Sequence, residues 1–228
     1  MIQRVLAVGL LAGLVAGLAI AALQHVTTTP LILAAEAYEK PRDHAEAPAE
    51  HGWKPTNGAR RTAATSVAAI TTAAGYALIL LALMLAANES IEPKRALAWG
   101  ACAFAATGLA TSLGLAPQLP GAAESDLLGR QIWWVATALL TSAGLFALLR
   151  IDALAAKLVG AALIAAPHLI GAPRPAAPES AVPAELAARF AAASLTVQAL
   201  AWIIAGLLVG LLWRLFAERA AAVPKAAP

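Results

Sequence analysis

The residues of this sequence best suited to chemistry are imidazoles and carboxylates that lie beside apolar runs. His25 and His168 each follow such a run, and Glu36 lies in the polar stretch after His25. Neutral imidazole and carboxylate are natural ligands for borderline divalent metals such as cobalt, nickel and zinc. Because their spacing is not compact, a metal site would have to form from the ends of separate helices. We predict His25, Glu36 and His168 as candidate metal ligands.

The other two histidines, His44 and His51, lie in a stretch rich in proline, alanine and glutamate. We interpret both as solvated loop residues. His25 and His168 are better candidates, because a helix end holds a side chain more firmly than a long loop does. For these two, hydrogen bonding at a membrane interface is the alternative to metal ligation.

The sequence lacks the short motifs that mark several classes of enzyme. It contains no Gly-x-x-x-x-Gly-Lys-Ser/Thr phosphate loop, so we expect no nucleotide-driven activity from this chain alone. His-Glu-x-x-His, Cys-x-x-Cys and Gly-x-Ser-x-Gly are also absent, which leaves a protease or a haem-attachment function unsupported. We therefore predict that the chain is not an enzyme and holds no permanent cofactor.

The composition indicates that these side chains belong to a membrane protein. Hydrophobic residues make up 61% of the chain, charged residues make up 13%, and the mean hydropathy is +0.74. A soluble domain usually carries about a quarter charged residues. The net charge of +3 comes without a basic stripe and interleaved aromatic residues, so no nucleic-acid partner is predicted. The lipid bilayer is the expected surrounding.

The helices that would position the candidate ligands are visible as apolar runs. A spanning helix needs roughly 20 predominantly apolar residues. Runs of about this length cover residues 5–23, 63–87, 95–115, 132–149, 153–166 and 189–213. The fifth is short and is interrupted by Lys157, so a count of five helices is the alternative to six. We predict an all-α polytopic helix bundle that forms a single membrane domain over residues 1–228.

The distribution of basic residues predicts how the bundle is oriented. The short connections and both termini concentrate lysine and arginine, which favours a cytoplasmic position for both termini in a bacterial inner membrane. Arg60 and Arg61, just before the second run, count against this orientation. The longer loops, at about 24–62, 116–131 and 167–188, then face outward. They contain all four histidines, which places the functional surface on the outer side.

Inside the apolar runs, polar residues are few. Gln198 in the last run and the pair Thr71 and Thr72 in the second are the deepest polar groups. Most residues of this kind hydrogen-bond across neighbouring helices. Charge inside the runs is almost absent apart from Lys157, and no carboxylate or basic group is evident near the membrane midplane, where ion-coupled carriers usually have one.

Glycines recur at four-residue spacing in the first and last runs. They are Gly9, Gly13 and Gly17, followed by Gly206 and Gly210. Small residues at this spacing let helix backbones approach closely in a membrane. The pattern predicts close packing within the chain, and contact with a second copy or a partner is the alternative.

Two segments, 116–122 (APQLPGA) and 166–172 (APHLIGA), repeat the same pattern at the ends of two apolar runs. Parallel repeats of helix hairpins occur in transporters. A chance match between alanine-rich helix ends that terminate in proline and glycine is the equal alternative.

Four segments of the polar loops and helix ends resemble the CbtA family of bacterial membrane proteins. They are 30–39 (PLILAAEAYE), 114–121 (GLAPQLPG), 130–134 (RQIWW) and 167–173 (PHLIGAP). Members of this family are proposed cobalt transporter subunits. The resemblance extends from the first apolar run to the last, and it implies cobalt, or another divalent metal, as a transported ion. It also implies a small CbtB-like partner that has one membrane helix and a histidine-containing tail.

Two functions follow as hypotheses. The first is a membrane subunit of a cobalt uptake system that captures the metal at the outer helix ends. The second is a structural or assembly subunit of a larger membrane complex without transport activity of its own.

Overall fold

A computed structural model of the chain describes residues 1–38, 58–123, 125–175 and 180–222, and within these ranges all regular secondary structure is helical. The predicted all-α membrane helix bundle is therefore confirmed. A π-helical turn, Ala105–Leu109, joins α4 to α5. The α-helices are α1 (Ile2–Val26), α2 (Thr28–Glu36), α3 (Ala59–Ala86), α4 (Pro93–Phe104), α5 (Ala110–Ser112), α6 (Leu127–Arg150), α7 (Leu154–Ile170) and α8 (Ala184–Ala222).

Six helical segments correspond to the six predicted runs, because α4, the π-turn and α5 form one continuous segment and α2 matches none of the runs. Among the described residues, four helices are long and apolar enough to cross a membrane, namely α1, α3, α6 and the Ala184–Arg219 part of α8. The third predicted run is α4 continued through the π-turn into α5. The shortest run is α7, whose 17 residues reach about 26 Å, close to the roughly 30 Å of a hydrocarbon core.

The predicted loop at 24–62 differs from the observed structure at its beginning. α1 continues to Val26, and α2 follows after a bend at Thr27. α2 has only nine residues, too few to span a membrane, so hydropathy alone does not distinguish it from a loop.

Both termini of the bundle lie at the same end. The Arg4 guanidinium donates a hydrogen bond to the Trp213 carbonyl oxygen and lies 3.9 Å from the centroid of the Trp213 ring. This end is named the terminal end, and the opposite end, with His25 and His168, is named the loop end. The shared end agrees with an even number of crossings.

The glycines of α1 form its contact with α3. A Cβ atom at Gly13 would lie 2.2 Å from Ala74 Cα, and one at Gly17 would lie 2.3 Å from Ile70 Cα. At these positions only glycine lets the two backbones approach so closely. The glycine face of α1 is therefore occupied within the chain, as the packing interpretation predicts.

The glycines of α8 have the same role against α4. A Cβ at Gly206 would lie 2.5 Å from the Ala96 carbonyl oxygen, and one at Gly210 would lie 2.5 Å from Pro93 Cα. An oligomer would consequently have to use a surface other than these two glycine faces.

The terminal half of the bundle has a continuous apolar core. It forms where α1, α3, α4 and α8 converge. Its largest fully buried apolar side chains are Val8, Leu80, Leu81, Met84 and Val209. All of its buried side chains are apolar.

One carboxylate connects three elements at the terminal end. Glu89 lies in the loop between α3 and α4, and its side chain is 3% exposed. It accepts hydrogen bonds from Arg95 of α4 and Arg150 of α6. The hydrogen bond from Arg95 lowers the pKa of the Glu89 carboxyl below its ordinary value, against the opposing effect of desolvation.

The α6–α7 hairpin packs on the rest of the bundle mainly through α4, the π-turn and α5. Asp126 caps α6 by accepting a hydrogen bond from the Gly129 backbone N–H at 2.6 Å. Gly144 and Gly160 bring α6 and α7 together, since a Cβ on either would meet the other's carbonyl oxygen below 3 Å.

The two copies of the predicted repeat differ in local structure. Residues 116–119 have no regular structure, whereas residues 166–170 form the last turn of α7. Both copies contain a glycine in the left-handed region, Gly121 at φ +80° and Gly171 at φ +86°. The internal repeat stays a prediction.

Candidate metal entrance at the loop end

A cavity of about 400 Å³ lies between α1, α2, α3 and α8 in the loop half of the bundle. Its wall is largely apolar, and its polar groups are neutral hydroxyl, phenol and amide groups. These belong to Gln24, Thr28, Thr65, Thr72, Tyr76, Ser194 and Gln198. Gln198 lies about 22 Å along α8 from Trp213, so the cavity extends into the membrane-spanning part of the bundle.

One residue of the cavity wall, Tyr76, belongs to a stacked aromatic pair with Trp202. The Tyr76 and Trp202 rings stack with centroids 4.0 Å apart and planes 4° from parallel. Trp202 also lines a second, mainly apolar cavity of about 680 Å³ between α3, α4 and α6.

The π-turn is hydrogen-bonded to Trp202 of this pair and to Gln198. Gln198 Nε2 donates to the Thr107 carbonyl oxygen at 3.4 Å, and Trp202 Nε1 donates to Thr107 Oγ1 at 3.0 Å. Thr107 lies inside the π-turn, a local widening of the helix that is frequent at functional sites. The prediction that Gln198 hydrogen-bonds across helices is confirmed.

The two threonines predicted to be deep polar groups have different environments. Thr71 is exposed to the outside of the bundle and donates to the Val67 carbonyl oxygen at 2.8 Å. Thr72 lines the cavity. Within the described part of the chain, the side chains of Thr72 and Ser194 make no hydrogen bond, so both can bind a cavity occupant.

His25 lies on the last turn of α1, next to Gln24 of the cavity wall. Its Nε2 is 3.2 Å from Ser66 Oγ. Because the Ser66 hydroxyl donates to the Thr62 carbonyl oxygen at 2.8 Å, the imidazole is the donor to Ser66. This tautomer leaves a lone pair on Nδ1, the form of imidazole that ligates a metal.

Glu36 ends α2 and forms an ion pair with Arg61 of α3. The side chains are 34% and 24% exposed, respectively. The pairing gives Arg61 a local electrostatic reason to lie at the loop end, although Arg61 counts against the predicted orientation of the bundle. A metal ligated by Glu36 would have to compete with this arginine.

His168 belongs to the α6–α7 hairpin. Its ring meets the Trp133 ring edge to face with centroids 5.9 Å apart, and Trp133 Nε1 donates to the Pro167 carbonyl oxygen at 3.1 Å. His168 Nε2 is buried and has no hydrogen-bond partner among the described residues. A ring nitrogen without a partner can accept a hydrogen bond or bind a metal through its lone pair.

The structure thus places His25 and Glu36 on helices that line the cavity and His168 on a separate hairpin. Within residues 1–38, 58–123, 125–175 and 180–222, no group of three or more histidine, cysteine or acidic residues is arranged to hold a metal. His44 and His51 lie outside the described residues. The ligand set His25, Glu36 and His168 stays a prediction.

Sequence reasoning missed Tyr76, Trp202 and Thr107. Each lies inside an apolar run and has no motif around it. One signal was available: Tyr76 is the only tyrosine within a predicted spanning run, and a phenol in such a position usually has a hydrogen-bond partner.

The fold and the cavity define a polytopic helical membrane protein with a polar recess inside the bundle. The family model for CbtA, described as a probable cobalt transporter subunit, matches residues 2–214. The chain therefore belongs to the CbtA family, and the resemblance found in the sequence is confirmed. Comparisons with curated proteins and with solved structures gave no match.

Proposed function

We propose that this chain is the inner-membrane subunit through which a cobalt uptake system admits its metal, with the loop end facing outward. The cavity carries the proposal, because it brings neutral hydroxyl, phenol and amide groups from the α1–α2 bend into an otherwise apolar bundle. The family description supports the same function.

Capture of the metal would occur at the rim of the cavity. His25 offers Nδ1, and Glu36 offers a carboxylate once Arg61 is displaced. His168 offers the unpartnered Nε2 on the neighbouring hairpin. Since these groups lie on three different helices, they would act in succession, or together after the hairpin moves toward α1.

Passage through the terminal half requires a further change. The core around Leu80, Leu81 and Met84 offers only apolar side chains below Tyr76 in this conformation. A subunit that works with others can obtain this change from a partner. A CbtB-like protein with one membrane helix is the proposed partner, and its histidine-containing tail would supply further ligands.

Cobalt accumulation in cells tests the function. Cells that express this chain with a CbtB-like partner should accumulate more cobalt than a matched vector control, and H25A combined with H168A should abolish the increase. T196V is the matched control variant, because Thr196 is exposed and hydrogen-bonds only its own helix. Equal accumulation in the double variant and the parent, at equal protein abundance, would contradict this choice of ligands.

The apolar terminal core, whose described residues offer a metal no imidazole or carboxylate ligand, favours a second candidate, an assembly subunit without transport of its own. In that case, the chain should co-purify with a larger membrane complex. Deletion of the chain should then leave cobalt uptake normal, which is the opposite of the result expected for a transport subunit.

A further inference from the structure

We infer that the cavity between α1, α2, α3 and α8 is a binding site for a divalent cation that keeps its water shell. The inference rests on the proposed function, since it names the form in which the metal occupies this site. The groups that would hold it are neutral oxygen atoms of the wall, chiefly those of Thr72, Tyr76, Ser194 and Gln198.

The chemistry of the wall decides between a bare and a hydrated ion. Cobalt(II) exchanges water readily for imidazole, thiolate or carboxylate, and the cavity wall contains none of these groups. Hydroxyl and amide oxygens are no better ligands for cobalt(II) than the water they would replace. They are, however, good hydrogen-bond acceptors for metal-bound water, so the ion has no reason to lose its shell here.

The size of the cavity fits a hydrated ion. At about 30 Å³ for each water molecule, six water molecules and the ion occupy roughly 200 Å³. The cavity offers about 400 Å³. A hydrated divalent ion therefore fits with room for further water between its shell and the wall.

Among the described residues, the cavity wall contains no charged side chain. α1 ends at Val26 and α2 begins at Thr28, so the partial negative charge of one helix end lies beside the partial positive charge of the next. The electrostatic cost of a cation here is therefore set by how much water it keeps. The retained water shell reduces the cost of moving the ion's charge out of bulk water, which a bare ion would bear in full.

Two hydroxyl groups are available to test the site without damage to the fold. Thr72 and Ser194 line the cavity and make no hydrogen bond within the described residues, so T72V and S194A remove no internal contact. T71V and T196V are the matched controls, because these hydroxyls are on the same two helices, point outward and bond only to the carbonyl four residues earlier.

The experiment measures cobalt(II) binding to the full chain in lipid nanodiscs by equilibrium dialysis. Hexaamminecobalt(III) is the competitor, because its six ammonia ligands do not exchange and it resembles a hydrated divalent ion in size and hydrogen bonding. It can occupy a site for hydrated ions but cannot ligate an imidazole.

We expect hexaamminecobalt(III) to displace cobalt(II). T72V and S194A should each weaken binding about two- to tenfold, the effect of one lost hydrogen bond, while T71V and T196V leave binding unchanged. The inference is overturned if the competitor has no effect, or if all four variants behave alike.

The outcomes separate this inference from the proposed function. Cobalt(II) binding that ignores the competitor and disappears in H25A and H168A would overturn the hydrated site and leave cobalt uptake standing. Competitive binding in the cavity without cobalt accumulation in cells would support the site and contradict the uptake function.

Discussion

The substitution G13A should separate α1 from α3 and destabilise the bundle. The Cβ atom introduced at Gly13 would lie 2.2 Å from Ala74 Cα, and the atom it meets belongs to the backbone, so no side chain can rotate away. Carbon atoms in contact are normally about 3.5–4.0 Å apart, so the two helices must move apart locally by roughly 1.3 Å or more.

The size of the effect can be isolated with a control on the same helix pair. Overpacking of this kind costs about 1–3 kcal/mol, whereas alanine gains about 0.5–1 kcal/mol over glycine inside a helix. Gly75, on α3, has no atom within 4 Å of its hypothetical Cβ. G75A therefore has the gain without the clash, and the difference between G75A and G13A measures the clash alone.

The assay is the unfolding free energy of each variant in the same lipid or detergent. We expect G75A to equal or exceed the parent and G13A to fall about 1–3 kcal/mol below G75A. G17A should resemble G13A, because its Cβ would lie 2.3 Å from Ile70 Cα. If G13A and G75A were equally stable, the close approach of α1 and α3 would be wrong, and the wall of the cavity with it.

Three further predictions concern the two ends of the bundle. The ion pairs of Glu89 should contribute their full stabilisation at pH values above the ordinary pKa of a carboxyl group. This stabilisation should be lost as the pH falls through the lowered pKa that Glu89 has in the folded state. The free energy of unfolding, measured at a series of pH values, tests this. E89Q should remove this pH dependence and cost about 1–3 kcal/mol, because Arg95 and Arg150 lose their shared acceptor; an unchanged pH profile would contradict the pairing. W133F should loosen the α6–α7 hairpin by about 1–3 kcal/mol through the lost bond to Pro167, and hydrogen exchange should rise in α7 while α1 stays protected.

Much of the architecture could be predicted because hydropathy is a local property. Each predicted run coincides with a helical segment, and four helices of the described residues are long and apolar enough to span, since a helix in lipid must satisfy its own backbone and present apolar side chains. α2 and the π-turn could not be predicted in this way. α2 is too short to produce a spanning signal, and the π-turn around Thr107 depends on partners in α8 that lie far away in the sequence.

For the candidate site, too, the sequence predicts the residue types but not their contacts. His25, Glu36 and His168 could be selected from the sequence because imidazole and carboxylate are residue types that ligate borderline divalent metals. Their partners could not be predicted, because Ser66, Arg61 and Trp133 become neighbours only when helices pack. Whether these three residues ligate a metal stays a prediction.

The sequence by itself determined the membrane class, the helical rods and the family, because composition, run length and motif order are properties of the chain. Tertiary structure alone decided which side chains share a space. Thr71 and Thr72 are adjacent, chemically identical and both exposed, yet only Thr72 borders the cavity, while Thr71 donates to the Val67 carbonyl oxygen of its own helix. In the same way, the glycines of α1 could have served a second chain, and only the position of α3 shows that they serve this one.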